Sequence, residues 1–334
     1  MIEVLLTPPL NMVQDLGRTG FRCHGIARTG AMDRLALAAG NALLGNPPDA
    51  AGIEFQLFPV RLRFTRDTAI ALTGADTMPR LDGRLMPPWW AVSVRAGQEL
   101  VLRAPRRGMR GYLTVAGGID VPLVFGSRTT HLRAGFGGLD GRALAEGDRL
   151  PLGDAPAFTP RDPAGLGARP PGDVLPGGEA PDAGPGDVVL RVIPAAEYDQ
   201  FDAASQALLW SQGWAVTSQS NRMGYRLQGA VPLRRTELVE MRSHGIVPGV
   251  IQVPPSGQSI IQLEDGNSAG GYPKIGAVIE ADLWRIAQAA PGATLRFAPC
   301  DAAAARAAER AAAAYLGELR HLAGLGRREL GSAA

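Results

Sequence analysis

Three stretches of this 334-residue chain carry side chains at spacings suited to ligand chemistry. In Gly270-Gly271-Tyr272-Pro273-Lys274-Ile275-Gly276, Gly271 and its neighbour let backbone amides approach a ligand closely. Tyr272 can donate a hydrogen bond, and Lys274 can hold a carboxylate or phosphate as a point charge. The same residues also suit a tight turn into a strand, with a solvated lysine. In Ser220-Asn221-Arg222-Met223-Gly224-Tyr225-Arg226, Arg222 and Arg226 flank a glycine turn and can fork onto an anion. A surface ion pair and a packed aliphatic stem account for them equally. The third stretch holds Gln252, Gln258 and Gln262 around a Val253-Pro254-Pro255-Ser256-Gly257 turn. Neutral amides both donate and accept, which suits an amide or ureido group. Gln252 and Gln262 are the preferred pair, with exposed strand positions as the plain alternative.

The opening stretch, Gln14 to Glu54, is dense in polar residues: Asp15, Arg18, Arg22, Cys23, His24 and Arg28 precede an expected helix. Asp33 can cap that helix, and Gly45 and Pro47 end it. Free amides at its start favour negative charge, so Asp33 and His24 stand near a candidate anion site, although capping alone explains Asp33. His24 and His244, each in a glycine-flanked loop, are the candidate titratable residues, and a solvated or structural role is open to both. Asp76 and Asp120 sit in turns and need no further role.

Several chemistries are excluded. There is no G-x-x-x-x-G-K-[ST] loop and no G-x-S-x-G elbow. The four histidines, His24, His131, His244 and His321, show no metal-ligand spacing, so no metal is expected. A net charge of +2 gives no bulk attraction to nucleic acid. No apolar run is long enough to cross a membrane, and no secretory leader is evident at the N-terminus. Two cysteines, Cys23 and Cys300, make no disulfide framework. A cytoplasmic setting is expected.

These residues need a β scaffold. Short strands bounded by Gly, Pro or Asp are expected at 2–6, 60–64, 68–73, 91–95, 99–103, 111–115 and 148–152. Others are expected at 188–193, 214–217, 225–227, 249–253, 259–263, 275–279 and 294–297. That spacing suits a sandwich or barrel. Helices are expected after Asp33, over 197–211, over 282–290 with Asp282 as cap, and over 302–322, which reads as a C-terminal appendage. The organisation is therefore an N-terminal half at 1–153 and a Pro/Gly-rich linker or loop at 154–186. A C-terminal half at 187–300 and a helical tail at 301–334 follow.

The ordered series Val13-Gln14-Asp15-Leu16-Gly17-Arg18, Gly30-Ala31-Met32-Asp33, Leu72-Thr73-Gly74-Ala75-Asp76, Val115 to Asp120, Gly126-Ser127-Arg128, Gln219 to Arg226, Ile251-Gln252-Val253-Pro254 and Gly270 to Gly276 resembles the biotin-dependent carboxyltransferase, or allophanate hydrolase subunit 2, family. The resemblance covers about residues 10 to 300. It implies a mainly β fold with a few helices, built as two cyclophilin-like β-barrel halves. It is nearest the branch of ATP-dependent 5-oxoprolinase C-type subunits. That branch implies a complex with B-type and A-type subunits, in which the B-type and C-type subunits activate the amide carbonyl of 5-oxoproline with ATP and Mg. The A-type subunit then opens the ring to glutamate. On this resemblance Arg222, Lys274 and His24 take catalytic or anion-contact roles. Gln252, Gln262, Tyr272, Gly271 and Asp33 contact a small-molecule amide. Two alternatives keep the fold: transfer of a carboxyl group from carboxybiotin to urea, or non-enzymatic binding of a kinase inhibitor. The chain carries no biotin-attachment Met-Lys-Met segment, so biotin would come from other proteins.

Overall fold

The computed structural model describes residues 1–155, 165–180, 182–237 and 240–331. Residues 156–164 and 181 of the expected linker lie outside the described residues. The chain is mostly β and divides into two compact units. One comprises Met1–Thr19, Thr29–Val174 and Ala313–Ala334; the other comprises Gly20–Arg28 and Leu175–Ala312.

The first unit is built on two six-stranded antiparallel sheets. The order in one is Arg149–Leu150, Ile2–Leu6, Val60–Phe64, Glu99–Leu102, Arg80–Leu81 and Arg84–Leu85. In the other it is Leu166–Gly167, Trp90–Val94, Thr68–Asp76, Arg107–Val115, Gly52–Phe55 and Met12–Gln14. Strand alternation decides what faces the core. Val60, Leu62 and Phe64 are buried, while Arg61 and Arg63 both reach Glu99, at 2.9 and 2.6 Å. Thr68–Asp76 is covered on both faces: Ile70 and Leu72 join the large aliphatic core, and Ala69 and Ala71 meet helix α1, Arg34–Leu44. Small residues on that face let the helix approach. At Gly40 of α1, a β-carbon would stand 2.7 Å from Thr114 Oγ1.

The second unit is a closed seven-stranded barrel. Its order is Val188–Pro194, Lys274–Val278, Val250–Gln252, Ile260–Gln262, Gly224–Gly229, Trp214–Val216 and Thr294–Pro299. Val188–Pro194 and Thr294–Pro299 close it as a parallel pair. Ile251, Ile261 and Ile275 are fully buried, and Trp214 stacks on Phe297 with centroids 6.0 Å apart. A separate two-stranded ribbon pairs His244–Gly245 with Ala269–Gly270.

Three helix expectations are corrected. Helix α2 runs Ala203–Ser211, because Asp202 caps it through Ser205 N at 2.7 Å. Glu197 therefore stays outside the helix. Helix α3 is only Leu283–Ala287, and the cap expected from Asp282 is absent. That carboxylate is fully buried and accepts from Arg191 N, Nε and Nη2 at 2.9, 2.9 and 2.6 Å. Helix α4, Ala302–Gly331, is longer than expected, and part of it packs inside the first unit. There Leu319 joins the α1 cluster and Tyr315 donates to Arg169 O at 2.8 Å, so this part is no mere appendage. Among the described residues no helix is long and apolar enough to cross a membrane.

Candidate functional site

The two glutamines named for amide recognition lie on neighbouring strands and bond to each other. Gln252 and Gln262 follow Ile251 and Ile261 on adjacent antiparallel strands, so both point away from the face that those isoleucines bury. Gln262 Nε2 donates to Gln252 Oε1 at 2.8 Å, and Gln252 Nε2 reaches Tyr272 O at 3.4 Å. Both polar ends of the Gln252 amide are thus engaged within the protein. Gln252 is 3% exposed, and Gln262 is the more accessible member.

Lys274 stands opposite Gln252 in the strand register, at an irregularity between Ile251 and Gln252. Its Nζ lies 3.1 Å from Glu197 Oε2, and its backbone N donates to the same oxygen at 3.1 Å. Arg222 grips Asp265 with a two-pronged contact, Nε to Oδ2 at 2.8 Å and Nη2 to Oδ1 at 3.0 Å. Both cations expected to meet an external anion therefore already hold internal carboxylates. Tyr272 is exposed, and a β-carbon at Gly271 would come within 3.0 Å of Met241 O.

The Gly20–Arg28 segment belongs to this same unit. His24 ends a short 3-10 turn, Arg22–His24, with its side chain exposed. Arg28 binds Glu264 through Nε at 2.8 Å and Nη2 at 2.6 Å, and Glu280 through Nη1 at 3.3 Å. Burial alone would lower the Arg28 pKa, but Glu264 and then Glu280 outweigh it and raise the value. Among the described residues Arg22 has no such carboxylate bond: burial and then Arg28 pull its pKa down, against the attraction of Glu264.

Asp33 belongs to the other unit. Its Oδ1 accepts from Ala36 N at 2.8 Å, capping α1, and its backbone N donates to Tyr112 Oη at 2.8 Å. Tyr112 in turn donates to Glu54 Oε2 at 2.7 Å, and Arg110 Nε lies 4.0 Å from Glu54. Burial, then the charges of Glu54 and Asp33, push the Tyr112 phenol well up, so it stays a donor. This buried network positions the helix start, and a small-molecule contact at Asp33 becomes a proposal separate from the barrel residues.

Sequence reasoning overlooked Glu197, Asp265 and Glu264, the carboxylates that partner the named cations. Glu197 is 77 positions from Lys274 and Glu264 is 236 from Arg28, so no local spacing links them. Asp265 adjoins Glu264 just past the Gln262 strand, and that acidic pair after an amide-bearing strand was the available signal. No group of three or more metal-ligating side chains occurs among the described residues.

Comparison with known proteins agrees with this architecture. Residues 24–299 match the family described as carboxyltransferase domain, subdomain A and B. The chain is 43% identical over 300 residues to the C-type subunit of the Escherichia coli K12 5-oxoprolinase, covering 90% of this chain and 91% of that one. It is 39% identical over 322 residues to the corresponding 5-oxoprolinase subunit of Haemophilus influenzae, covering 96% and 98%. The crystal structure of the K. lactis urea amidolyase superposes with a TM-score of 0.85 at 27% identity, over 95% of this chain and 20% of that one. By the family match and the extent of these identities, the chain belongs to the carboxyltransferase domain family.

Proposed function

We propose that this chain acts as a C-type subunit of an ATP-dependent 5-oxoprolinase, in the cytoplasm and with B-type and A-type partner subunits. The observation that carries the reading is the 43% identity to the Escherichia coli C-type subunit over nine-tenths of both chains. The site chemistry supports it: a lactam presents one N–H and one C=O, and Gln262 offers an amide beside Lys274 and Glu197. With its B-type partner the chain would activate the lactam carbonyl, and the A-type subunit would complete ring opening to glutamate. Inactivity of the chain alone is part of this reading, as is a cyclophilin-type fold for both units.

ATP, with Mg, is the energy source in this scheme. Arg222 and Lys274 are already neutralised by Asp265 and Glu197, a donor set that does not fit a triphosphate. The nucleotide is therefore assigned no contact in this chain, and His24 remains an exposed candidate.

A second reading is transfer of a carboxyl group from carboxybiotin to urea or a related amide. The observation favouring it is the fold shared with urea amidolyase. Gln262, held in place by Gln252, offers its carbonyl oxygen to a ureido group; biotin, when bound, would supply the carboxyl group. The deciding experiment mixes the chain with its candidate partners and follows ATP-dependent conversion of 5-oxoproline to glutamate, with the chain omitted as control. Turnover that needs the chain upholds the first reading. Biotin-dependent carboxylation of urea without oxoproline turnover replaces it with the second.

A further inference from the structure

Two hydrogen-bonding atoms on Arg22 and His244 are enclosed yet have no partner among the described residues: Arg22 Nη1 and His244 Nε2. The Arg22 guanidinium is pinned to the ribbon segment because Nη2 donates to Ile246 O, with Asn267 O at 3.5 Å. His244 Nδ1 lies 3.0 Å from Arg242 O. A carbonyl only accepts, so Nδ1 carries the proton, and in the neutral ring Nε2 is a bare lone pair. Enclosed polar atoms with no partner are costly, and a native protein that keeps two such atoms on side chains tied to one segment calls for an explanation.

Their surroundings define what would satisfy them. His244 pairs with Gly270 across the ribbon, and a β-carbon at Gly270 would stand 2.8 Å from Gln252 Nε2. The imidazole strand therefore overlies the amide pair. The Gln252 amide is spent on Gln262 and Tyr272, whereas Arg28, Arg222 and Lys274 are spent on carboxylates. Among the described residues Arg22 holds no carboxylate, and its Nη1 and His244 Nε2 are left unpartnered. Arg22 is held on Ile246 O, two residues beyond His244, which ties both groups to one short segment. A five-membered lactam with a carboxylate carries its N–H and carboxylate on adjacent ring atoms, so one such ligand would offer a partner to each group. Flanking Arg242, Ser243, Gly245 and Val247 are exposed, which leaves this edge of the ribbon open to a small molecule.

We propose that Arg22 and His244 form a recognition pair for a cyclic amide bearing a carboxylate, with Arg22 Nη1 donating to the carboxylate and His244 Nε2 accepting the amide N–H. The proposal rests on the oxoprolinase reading and adds the two groups that select its substrate.

The test is calorimetric titration of the assembled complex with 5-oxoproline, 2-pyrrolidinone, which lacks the carboxylate, and N-methyl-5-oxoproline, which lacks the N–H. Wild-type complex is expected to bind 5-oxoproline roughly tenfold or more tightly than either analogue. Arg22→Gln should abolish the advantage over 2-pyrrolidinone, and His244→Phe the advantage over the N-methyl compound. Wild-type complex that binds all three alike overturns the pair while leaving the oxoprolinase reading in place, and needs no variant to fold. Advantages that survive both substitutions also overturn it. Wild-type complex that binds none of the three overturns the reading and the pair together.

Discussion

Gln262 donates its amide to Gln252 across two adjacent barrel strands at 2.8 Å, and this single bond gives the two glutamines different jobs. Gln252 is buried and spends both ends internally, while Gln262 keeps its carbonyl oxygen for another donor. Gln252→Leu should cost stability, about 1–3 kcal/mol, because it strands the Gln262 donor and the Tyr272 carbonyl. Gln262→Met takes the donor from the buried Gln252 oxygen and so should also lower the melting temperature, and in addition it should weaken amide-substrate binding roughly tenfold. Thermal melts beside substrate titration check this. Substrate binding left unchanged by Gln262→Met would refute the division.

The ion pair between Lys274 and Glu197 should behave as one unit. Both side chains are nearly enclosed, at 13% and 12% exposure. A double-mutant cycle on Lys274→Met and Glu197→Gln, read by denaturant unfolding, should give a coupling of about 0.5–3 kcal/mol. A coupling near zero would mean that Lys274 is held by its strand alone.

Much of the scaffold was legible because it rests on local physics. Val60–Phe64 reads correctly from its alternation, and α1 from Asp33 at one end and Gly45 at the other. The strands carrying Gln252 and Gln262 were legible from the proline-glycine turn between them, but the register was not: Gln252 stands opposite Ile260, and the two amides meet diagonally. What failed was long-range. Asp282 has the look of a helix cap, yet its carboxylate serves Arg191, 91 positions away. The short ribbon strands His244–Gly245 and Ala269–Gly270 have no alternation long enough to detect. Arg22, His24 and Arg28 belong with the second unit although their sequence neighbours belong with the first, which no spacing announces.

That misread aspartate gives a sharp test. Were Asp282 only a helix cap, Asp282→Ala would cost about 1 kcal/mol. As a fully buried carboxylate that binds Arg191, and Arg285 at 3.3 Å, its loss strands a guanidinium in low-dielectric surroundings. The expected cost is about 3–5 kcal/mol. Urea unfolding of the variant separates the two values easily.

Acid should weaken the first unit through Asp148. Arg142 binds both its carboxylate oxygens at 2.7 Å, and Ala145 N donates to one of them at 2.8 Å. The Arg142 bonds chiefly, helped by Ala145, hold the Asp148 carboxyl below the usual range against a smaller opposing effect of burial. A depressed folded value means that the carboxylate's contribution is complete above its unfolded pKa and fades as pH falls through the lower folded one. Stability should therefore decline below about pH 4. Arg142→Met should flatten that limb by returning Asp148 toward its unfolded behaviour, leaving the dependence above about pH 5 unchanged. Denaturant midpoints measured from about pH 6 to about pH 2.5 check it. An acid limb identical in the variant would place the responsible carboxylates elsewhere, such as Glu99, whose own pKa Arg63 and Arg61 lower.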